Sequence, residues 1–457
     1  MGHYLSNLTA AAFVSAFAAS APAQQTPPPN IDEFVAGVMA EYEVPGIGLA
    51  IVKDGEVVLA KGYGVRQLGE STPVDAQTLF GIASNTKAFT ATALALLVEE
   101  GKLQWETPVI DDLPWFRMSD PYVTRELTIR DLLVHRSGLS LGAGDLLWWP
   151  PSTYNRKEIA RRLRYVPLAT TFRSTYAYDN VLYLVAGEVI EEVSGQTWED
   201  FVASRILAQV GMTHSNVRHS DAANGGNVAT THARIGGTVR PIKPFTSDNT
   251  NPAGGINSNA EDMAKWLIVQ LDSGRIAADD RLFSPRTTRE LWRIVTPIAT
   301  GSTAPELGVL RPRFSGYALG FRVRDYRGEK LVTHTGGLPG YVSLVLMLPD
   351  HRLGVAVLTN MESGAAFNII GMHILDYYLG ASDTDWFAAY KTVITRTDSM
   401  LLAQDRYRAV RRDSSSRPSL PLERYASTYT DQWYGDVTIT HEDENLAIQF
   451  SHTPSLV

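Results

Sequence analysis

The S-x-x-K pattern formed by Ser84 and Lys87 could carry out nucleophilic catalysis. Positions i and i+3 share one face of a helix, so the lysine can reach the serine hydroxyl. A seryl hydroxyl becomes a good nucleophile only when a neighbour takes its proton, and a neutral lysine can do so. A helix that starts at Ser84 would also direct free N–H groups at an oxyanion. Taken alone, the pattern is weak and favours a helix-capping serine followed by a solvated lysine.

A second pattern, Tyr178-Asp179-Asn180, stands immediately before the helix-period segment 181–193. A phenol near two cations can have its pKa pulled below its usual value near 10, which makes Tyr178 a candidate base for the Ser84 proton. Asn180 could hydrogen-bond a substrate carbonyl or hold Lys87. The alternatives are ordinary aromatic packing for Tyr178 and a helix N-cap for Asn180.

A third pattern, His334-Thr335-Gly336-Gly337, follows the strand-like run 331–333. Two glycines allow the backbone to approach a ligand closely. The N–H of Gly337 could therefore complete an oxyanion hole with that of Ser84. The alternative is a glycine-rich strand end with an incidental histidine.

Two rival chemistries have weaker support. Ser140 lies in a G-x-S-x-G pattern, which requires a strand before the serine and a helix after it, but a helix-like segment, 128–134, precedes it. The ten histidines include no H-E-x-x-H, and His214 and His219 are five positions apart. We therefore expect neither a catalytic metal nor any other cofactor.

The elements that must position these residues follow from apolar periodicity. The chain opens with a helix over 31–39 and a buried strand over 46–52, and an Asp-Gly turn leads to a second strand over 57–64. Helical spacing dominates the middle and strands return late. The predicted helices are 84–100, 128–134, 181–193 and 260–271, and the predicted late strands are 317–323, 331–333, 342–347 and 353–358. The order predicts an α+β protein (an α/β sandwich), with an antiparallel sheet flanked by helices and an inserted all-helical region at about 100–250.

The remaining segments predict the domain organisation. Residues 24–380 form the catalytic domain, and residues 374–410 are predicted as a helix and then a connector, with the helix and linker unit spanning 381–418. Residues 419–457 are predicted as a β-hairpin or partial β-domain, with strands at 435–440 and 446–450. The Trp148-Trp149-Pro150-Pro151 run could line an apolar acyl pocket, or it could be a turn whose rings pack on the helical region.

Composition restricts the compartment and the partners. The 457 residues include 41 Lys and Arg against 49 Asp and Glu, and a net charge of −8 repels a nucleic acid. The absence of cysteine excludes disulfides and a cysteine nucleophile. Residues 1–23 combine an apolar run with Ala21-Pro22-Ala23, which predicts a cleaved signal peptide and no stable membrane insertion afterwards. We expect a periplasmic or secreted protein whose partner is a small molecule or a short peptide; the oligomeric state stays open.

Three further segments accompany the three patterns: LLVHRSGL at 132–139, NPAGGI at 251–256 and YALGF at 317–321. With them, residues 31–378 resemble the serine β-lactamase and penicillin-binding-protein superfamily, in the class C-like branch that includes DD-peptidases, D-amino-acid peptidases and family VIII esterases. The resemblance implies a β-lactamase/transpeptidase-like fold and Ser84 as the acylated nucleophile. It also implies that Lys87 and Tyr178 share the proton transfers, that the N–H groups of Ser84 and Gly337 bind the oxyanion, and that His334 replaces a lysine found in many relatives.

The predicted function is hydrolysis of amide or ester bonds through a Ser84 acyl-enzyme. A histidine with a pKa near 6.5 attracts a substrate carboxylate less strongly than a lysine. Short peptides, including peptides with D-residues or opened cyclic peptides, are therefore preferred to β-lactams. The alternatives are a carboxylesterase, then a β-lactamase, and, from another class, a sensor that is acylated without turnover.

Overall fold

The computed structural model describes residues 26–223, 226–413 and 415–456; the predicted signal peptide, residues 1–23, lies outside the described residues. The helices are α1 Ile31–Tyr42, α2 Thr86–Glu99, α3 Val109–Asp112, α4 Pro121–Glu126, α5 Arg156–Arg162, α6 Val181–Ser194, α7 Trp198–Val202, α8 Ala208–Val210, α9 Asn251–Gly254, α10 Ala260–Leu271, α11 Pro285–Leu291, α12 Gly364–Leu379 and α13 Trp386–Arg411. The strands are β1 Gly46–Lys53, β2 Glu56–Gly64, β3 Phe80–Gly81, β4 His232–Ile235, β5 Thr238–Pro241, β6 Asn257–Ser258, β7 Arg275–Ala277, β8 Asp280–Arg281, β9 Thr296–Pro297, β10 Ser315–Tyr317, β11 Arg322–Tyr326, β12 Glu329–Leu338, β13 Tyr341–Leu348, β14 Leu353–Thr359, β15 Ser427–Asp431, β16 Gly435–Glu442 and β17 Asn445–Phe450.

The main sheet joins strands that are far apart in the sequence. Its eight strands run in the order β2-β1-β14-β13-β12-β11-β10-β9, and every neighbouring pair is antiparallel. In the centre, β1 pairs with β14, so that Leu49 lies opposite Val357. Most of the helices lie in the sequence between β2 and β9. The prediction of an α+β fold with an antiparallel sheet and an inserted helical region is therefore confirmed.

The sheet is buried on both faces, which explains the continuously apolar character of β1. Successive side chains of β1 point to opposite faces of the sheet, so Leu49 and Ile51 pack in the hydrophobic cluster with α1 and α12. Ala50 and Val52 point to the other cluster, with α2 and α10. The predicted turn after β1 is also confirmed, because Asp54 and Gly55 both have the positive φ that a tight primed hairpin turn requires.

The prediction of one continuous strand over 317–323 is wrong. A turn from Ala318 to Phe321, closed by a 2.8 Å hydrogen bond, separates β10 from β11. Its third residue, Gly320, has φ +78°, and a Cβ there would lie 2.7 Å from the backbone oxygen of Lys87. The turn therefore packs directly against the first turn of α2. The helix predicted over 128–134 is also shorter, a 3₁₀ turn at Asp131–Leu133.

The C-terminal region contains more structure than the sequence indicated. In place of one helix and a connector over 374–410 there are two helices, α12 and α13, because Gly380 ends the first with φ +67° and the Asp385 side chain caps the second. The predicted hairpin of 435–440 with 446–450 is confirmed as β16 and β17, and β15 adds a third strand. We call β15–β17 the C-terminal sheet.

Candidate active site

Ser84 lies in a 3₁₀ turn, Ala83–Asn85, that leads into α2. The turn is held by β3, which pairs with β6, and by the Ile82 N–H, which donates to the Ile256 oxygen at 2.9 Å. Ala83 has φ +49°, an uncommon conformation for a residue with a side chain. The α-helix starts at Thr86 rather than at Ser84, so the predicted helix begins with a tighter turn that leaves Ser84 at a cavity.

The Lys87 amine is fully buried and has three polar neighbours. Its Nζ lies 3.0 Å from the Ser84 Oγ, 2.8 Å from the Asn180 Oδ1 and 2.8 Å from the Ala253 backbone oxygen. The amide and carbonyl oxygens can only accept hydrogen bonds, so they use both N–H groups of a neutral amine. The remaining lone pair then faces the Ser84 hydroxyl.

Burial also favours the neutral form of this amine. Desolvation lowers the pKa of Lys87 to about 7, against the opposing charges of Asp145 and Asp179. At neutral pH a large fraction of Lys87 is therefore unprotonated. This state is the one that can accept a proton from Ser84.

Tyr178 behaves differently from the prediction. Burial raises the pKa of Tyr178 well above its usual value, and the hydrogen bond with Ser84 lowers it by less. The expectation that neighbouring cations pull this pKa down is wrong, because desolvation of the phenolate dominates. Tyr178 thus keeps its proton at neutral pH and can donate it. Its ring packs 4.2 Å from that of His135, which lies buried in the loop before it.

Asp145 is a part of the site that sequence reasoning missed. The Asn180 Nδ2 lies 3.3 Å from one Asp145 carboxylate oxygen and 3.4 Å from the other, and the Trp148 Nε1 donates to Asp145 at 2.9 Å. The carboxylate orients the Asn180 amide, so that its oxygen faces Lys87. Asn180 occupies the N-cap position of α6, but its side chain makes no capping hydrogen bond to that helix. No sequence pattern links Asp145 to Asn180.

His334 is buried and neutral. Its Nδ1 lies 2.7 Å from the Thr335 backbone oxygen, which can only accept, so Nδ1 carries the proton. The Nε2 then accepts from the Tyr317 hydroxyl at 2.7 Å. Burial, with a smaller contribution from Lys87, lowers the pKa of His334 to about 3. The His334–Gly337 segment lies inside β12 rather than at a strand end.

The edge of β12 opens toward the cavity. Strand β11 pairs with β12 only up to Thr333, whereas β13 pairs with it as far as Leu338. Beyond Thr333, no strand of the described residues pairs with this edge of β12, and Thr335 and Gly337 are exposed there. A free strand edge can accept an extended peptide by backbone hydrogen bonds.

A cavity of about 460 Å³ joins these groups, and two arginines that the sequence did not single out, Arg322 and Arg324, also line it. Arg322, at the start of β11, lines it together with Ser84, Tyr178, His334 and Gly337. The arginine is exposed and donates from Nε to the Ser315 Oγ at 3.1 Å, and it forms no ion pair with a carboxylate in the described part of the chain. Because His334 is neutral, Arg322 supplies positive charge to this end of the cavity.

The two glycines of β12 make a matched test of this geometry. A Cβ at Gly336 would lie 2.1 Å from the Ile82 oxygen and 2.4 Å from the Ser343 Oγ, whereas a Cβ at Gly337 meets nothing within 4 Å. Gly336→Ala is expected to push β12 from the Ser84 turn, with a loss of about 1–3 kcal/mol in the free energy of unfolding. Gly337→Ala should leave it within about 0.5 kcal/mol. Urea titration of both variants checks this; equal effects would contradict it.

The rival chemistries have little support in the structure. Ser140 is exposed in a loop and has no strand before it. Among residues 26–223, 226–413 and 415–456, no three His, Asp or Glu side chains come together to hold a metal ion. None of the helices in these ranges has the length and apolarity needed to cross a lipid bilayer.

Comparison with known proteins identifies the family. Residues 31–377 match the Beta-lactamase family model, and residues 411–457 match a domain of unknown function, DUF3471. The chain belongs to the Beta-lactamase family and is a serine hydrolase of the β-lactamase/penicillin-binding-protein superfamily.

Individual relatives agree with this assignment. An unguisins hydrolase of Aspergillus campestris is 30% identical over 437 residues, which cover 90% of this chain and 77% of the relative. The octameric penicillin-binding protein homologue from Pyrococcus abyssi has a TM-score of 0.68 at 24% identity, over 92% of this chain and 87% of that one. A D-stereospecific amidohydrolase from Streptomyces has a TM-score of 0.57 at 22% identity, over 73% and 95%. These two likenesses concern the fold.

Proposed function

We propose that this protein is an exported peptidase or amidase that cleaves short peptides through an acyl-enzyme on Ser84. One observation carries the proposal: the buried Lys87 amine lies 3.0 Å from the Ser84 hydroxyl, and its pKa is about 7. A base of this pKa is partly neutral at physiological pH and can take the serine proton.

The reaction begins with attack of the Ser84 Oγ on the scissile carbonyl while Lys87 accepts the hydroxyl proton. A carbon–oxygen bond forms, and the negative charge moves to the former carbonyl oxygen. The N–H groups of Ser84 and Gly337 bind this oxyanion; such donors typically contribute about 10²- to 10³-fold each.

Collapse of the tetrahedral intermediate breaks the carbon–nitrogen bond. The protonated Tyr178 donates its proton to the leaving amine and is reprotonated from Lys87, so the proton count balances. Water then attacks the acyl-enzyme and gives up a proton to the same pair. The acid leaves, and the Ser84 hydroxyl is restored.

A preference for peptides with a free carboxylate is supported by the charges at the cavity. His334 stays neutral, with a pKa of about 3, while Arg322 is exposed and has no carboxylate partner among the described residues. Thr335 and Gly337 would receive the peptide backbone along the free edge of β12. The curated relative from Aspergillus campestris is named as a hydrolase. Export is proposed from the signal-like residues 1–23, and the boundaries 24–380 and 419–457 are proposed for the catalytic and C-terminal units.

A substrate panel tests the proposal. The protein is incubated with short peptides of L- and D-residues, with p-nitrophenyl acetate and with a chromogenic cephalosporin, and the products are followed by mass spectrometry and absorbance. Faster turnover of peptides supports the proposal. Turnover of the ester alone would favour the carboxylesterase, turnover of the cephalosporin alone the β-lactamase, and a stoichiometric burst without turnover the sensor.

Removal of the Arg322 charge tests the carboxylate preference separately. Arg322→Ala is expected to reduce kcat/KM for a peptide with a free C-terminal carboxylate by about 10- to 100-fold, because a charge-assisted hydrogen bond is lost. For the amidated peptide the change should be less than about twofold. Arg311→Ala, which removes an exposed arginine that does not line the cavity, is the matched control. An equal loss on both peptides would contradict the assignment.

A further inference from the structure

Two residues at one end of the C-terminal sheet contact the loop that carries the two tryptophans of the site, residues 148–154, which we call the tryptophan loop. They are Tyr434, in the turn between β15 and β16, and His452, just after β17. The Thr153 N–H donates to the His452 oxygen at 2.9 Å, and the Tyr154 hydroxyl donates to the Tyr434 oxygen at 2.6 Å. The rings of Tyr154 and His452 stack with their centroids 3.9 Å apart. Tyr154 and Tyr434 are both buried at this contact, which indicates a packed interface rather than a grazing one.

The other end of the tryptophan loop faces Ser84. Trp148 lines a cavity of about 200 Å³ that also contains Ser84, and Trp148 and Trp149 line a neighbouring cavity of about 430 Å³. The larger cavity is also lined by the apolar side chains of Leu338, Pro339 and Val342, from the end of β12, the turn after it and the start of β13, and by Asp145 and Glu362. Its apolar lining suits an apolar group attached to the reacting carbonyl.

Between its two ends, the tryptophan loop is held by hydrogen bonds and by one aromatic side chain. The Ser152 Oγ donates to the Leu147 oxygen at 2.5 Å, and the Asn249 Nδ2 donates to Ser152 at 3.2 Å and to the Tyr154 oxygen at 2.9 Å. Phe245 adds a ring contact to each tryptophan. Tyr154 is five or six residues from the two tryptophans, and the Asn249 amide joins it to Ser152 between them.

We propose that the C-terminal sheet positions Trp148 and Trp149, and thereby sets the preference of the active site for substrates with a large apolar group. The proposal rests on the proposed function of Ser84, since it concerns the selectivity of that site. His452 and Tyr434 are positioning residues, which act through Tyr154. An acetyl group is too small to fill the cavity of about 430 Å³ beside the two indoles, so we expect hydrolysis of an acetyl ester to depend little on the sheet.

The test compares two esters in the full chain. His452→Ala, which removes the stacked ring, and Tyr154→Phe, which removes only the hydroxyl, are assayed with p-nitrophenyl octanoate and p-nitrophenyl acetate. We expect kcat/KM for the octanoate to fall about three- to tenfold in His452→Ala and less in Tyr154→Phe, while the acetate changes by less than about twofold. His441→Ala is the matched control, because His441 belongs to β16 of the same sheet and its side chain makes no hydrogen bond, ion pair or ring contact with the tryptophan loop.

The ratio of the two rates decides between the outcomes. An unchanged octanoate-to-acetate ratio in both variants would overturn the proposal, and so would an equal fall of the ratio in His441→Ala. Melting temperatures show whether a variant has a folding defect. If His452→Ala unfolds, Tyr154→Phe still tests the contact, because it keeps the aromatic ring of residue 154 and removes only its hydroxyl. Acetate hydrolysis by the wild type, lost in Ser84→Ala, tests independently whether Ser84 is the nucleophile. If the wild type cleaves neither ester, the proposal about the sheet fails, whereas the peptide panel decides the proposed function.

Discussion

Replacement of Ser84 by alanine is expected to reduce kcat/KM toward p-nitrophenyl acetate by about 10⁴-fold or more. The Ser84 Oγ is the atom that the Lys87 amine faces at 3.0 Å, and it opens into the cavity. Without it no acyl-enzyme can form. The variant should also take up no adduct from a fluorophosphonate probe, whereas the wild type should gain one, as measured by intact-mass spectrometry.

Ser140→Ala provides the control for this experiment. Ser140 belongs to the G-x-S-x-G pattern but is exposed in a loop, so this variant should keep full labelling and activity. Labelling and hydrolysis that persist in Ser84→Ala would assign the nucleophile elsewhere. Loss of both in Ser140→Ala would favour the rival pattern.

Local sequence was sufficient for features that depend on near neighbours. The i, i+3 spacing places Lys87 beside Ser84, and the Asp-Gly pair at 54–55 provides the positive φ values of the first hairpin. The late strands were also predictable, except where Gly320 turns the chain between β10 and β11. Such a turn is needed because the backbone approaches Lys87, a contact between segments more than 200 residues apart.

The parts that could not be predicted depend on burial and on long-range packing. A sequence does not reveal whether a phenol lies among cations or is shielded from water, so the direction of the Tyr178 pKa shift was wrong. Asp145 and Arg322 reach the site from a loop and from a strand start that carry no pattern of their own. The contact of His452 with Tyr154 joins residues almost 300 positions apart. In each case the tertiary fold creates the environment of the residue, and the local sequence carries no information about that environment.

The pH dependence of kcat/KM is expected to rise with pH through about 7 and then reach a plateau. Lys87, with a pKa of about 7, is the proposed base, and only its neutral form accepts the Ser84 proton. Protonation below this pKa removes the base, so activity is lost on the acid side. Tyr178, whose pKa is raised, stays protonated over the same range. A Tyr178 phenolate acting as the base would instead give a rise only in strongly alkaline solution.

Two variants distinguish the lysine from the other groups of the site. Lys87→Met, which keeps the length of the side chain, should lose about 10²- to 10⁴-fold in kcat/KM together with the limb near pH 7. Asp145→Asn keeps an oxygen for the Trp148 indole but removes a negative charge that raises the pKa of Lys87. Its acid limb should therefore move to lower pH, and stopped-flow ester hydrolysis from pH 5 to pH 9 would measure it. A limb that stays in place or moves to higher pH in Asp145→Asn would mean that Lys87 is not the group that titrates, and the proton of Ser84 would then have to pass to another base.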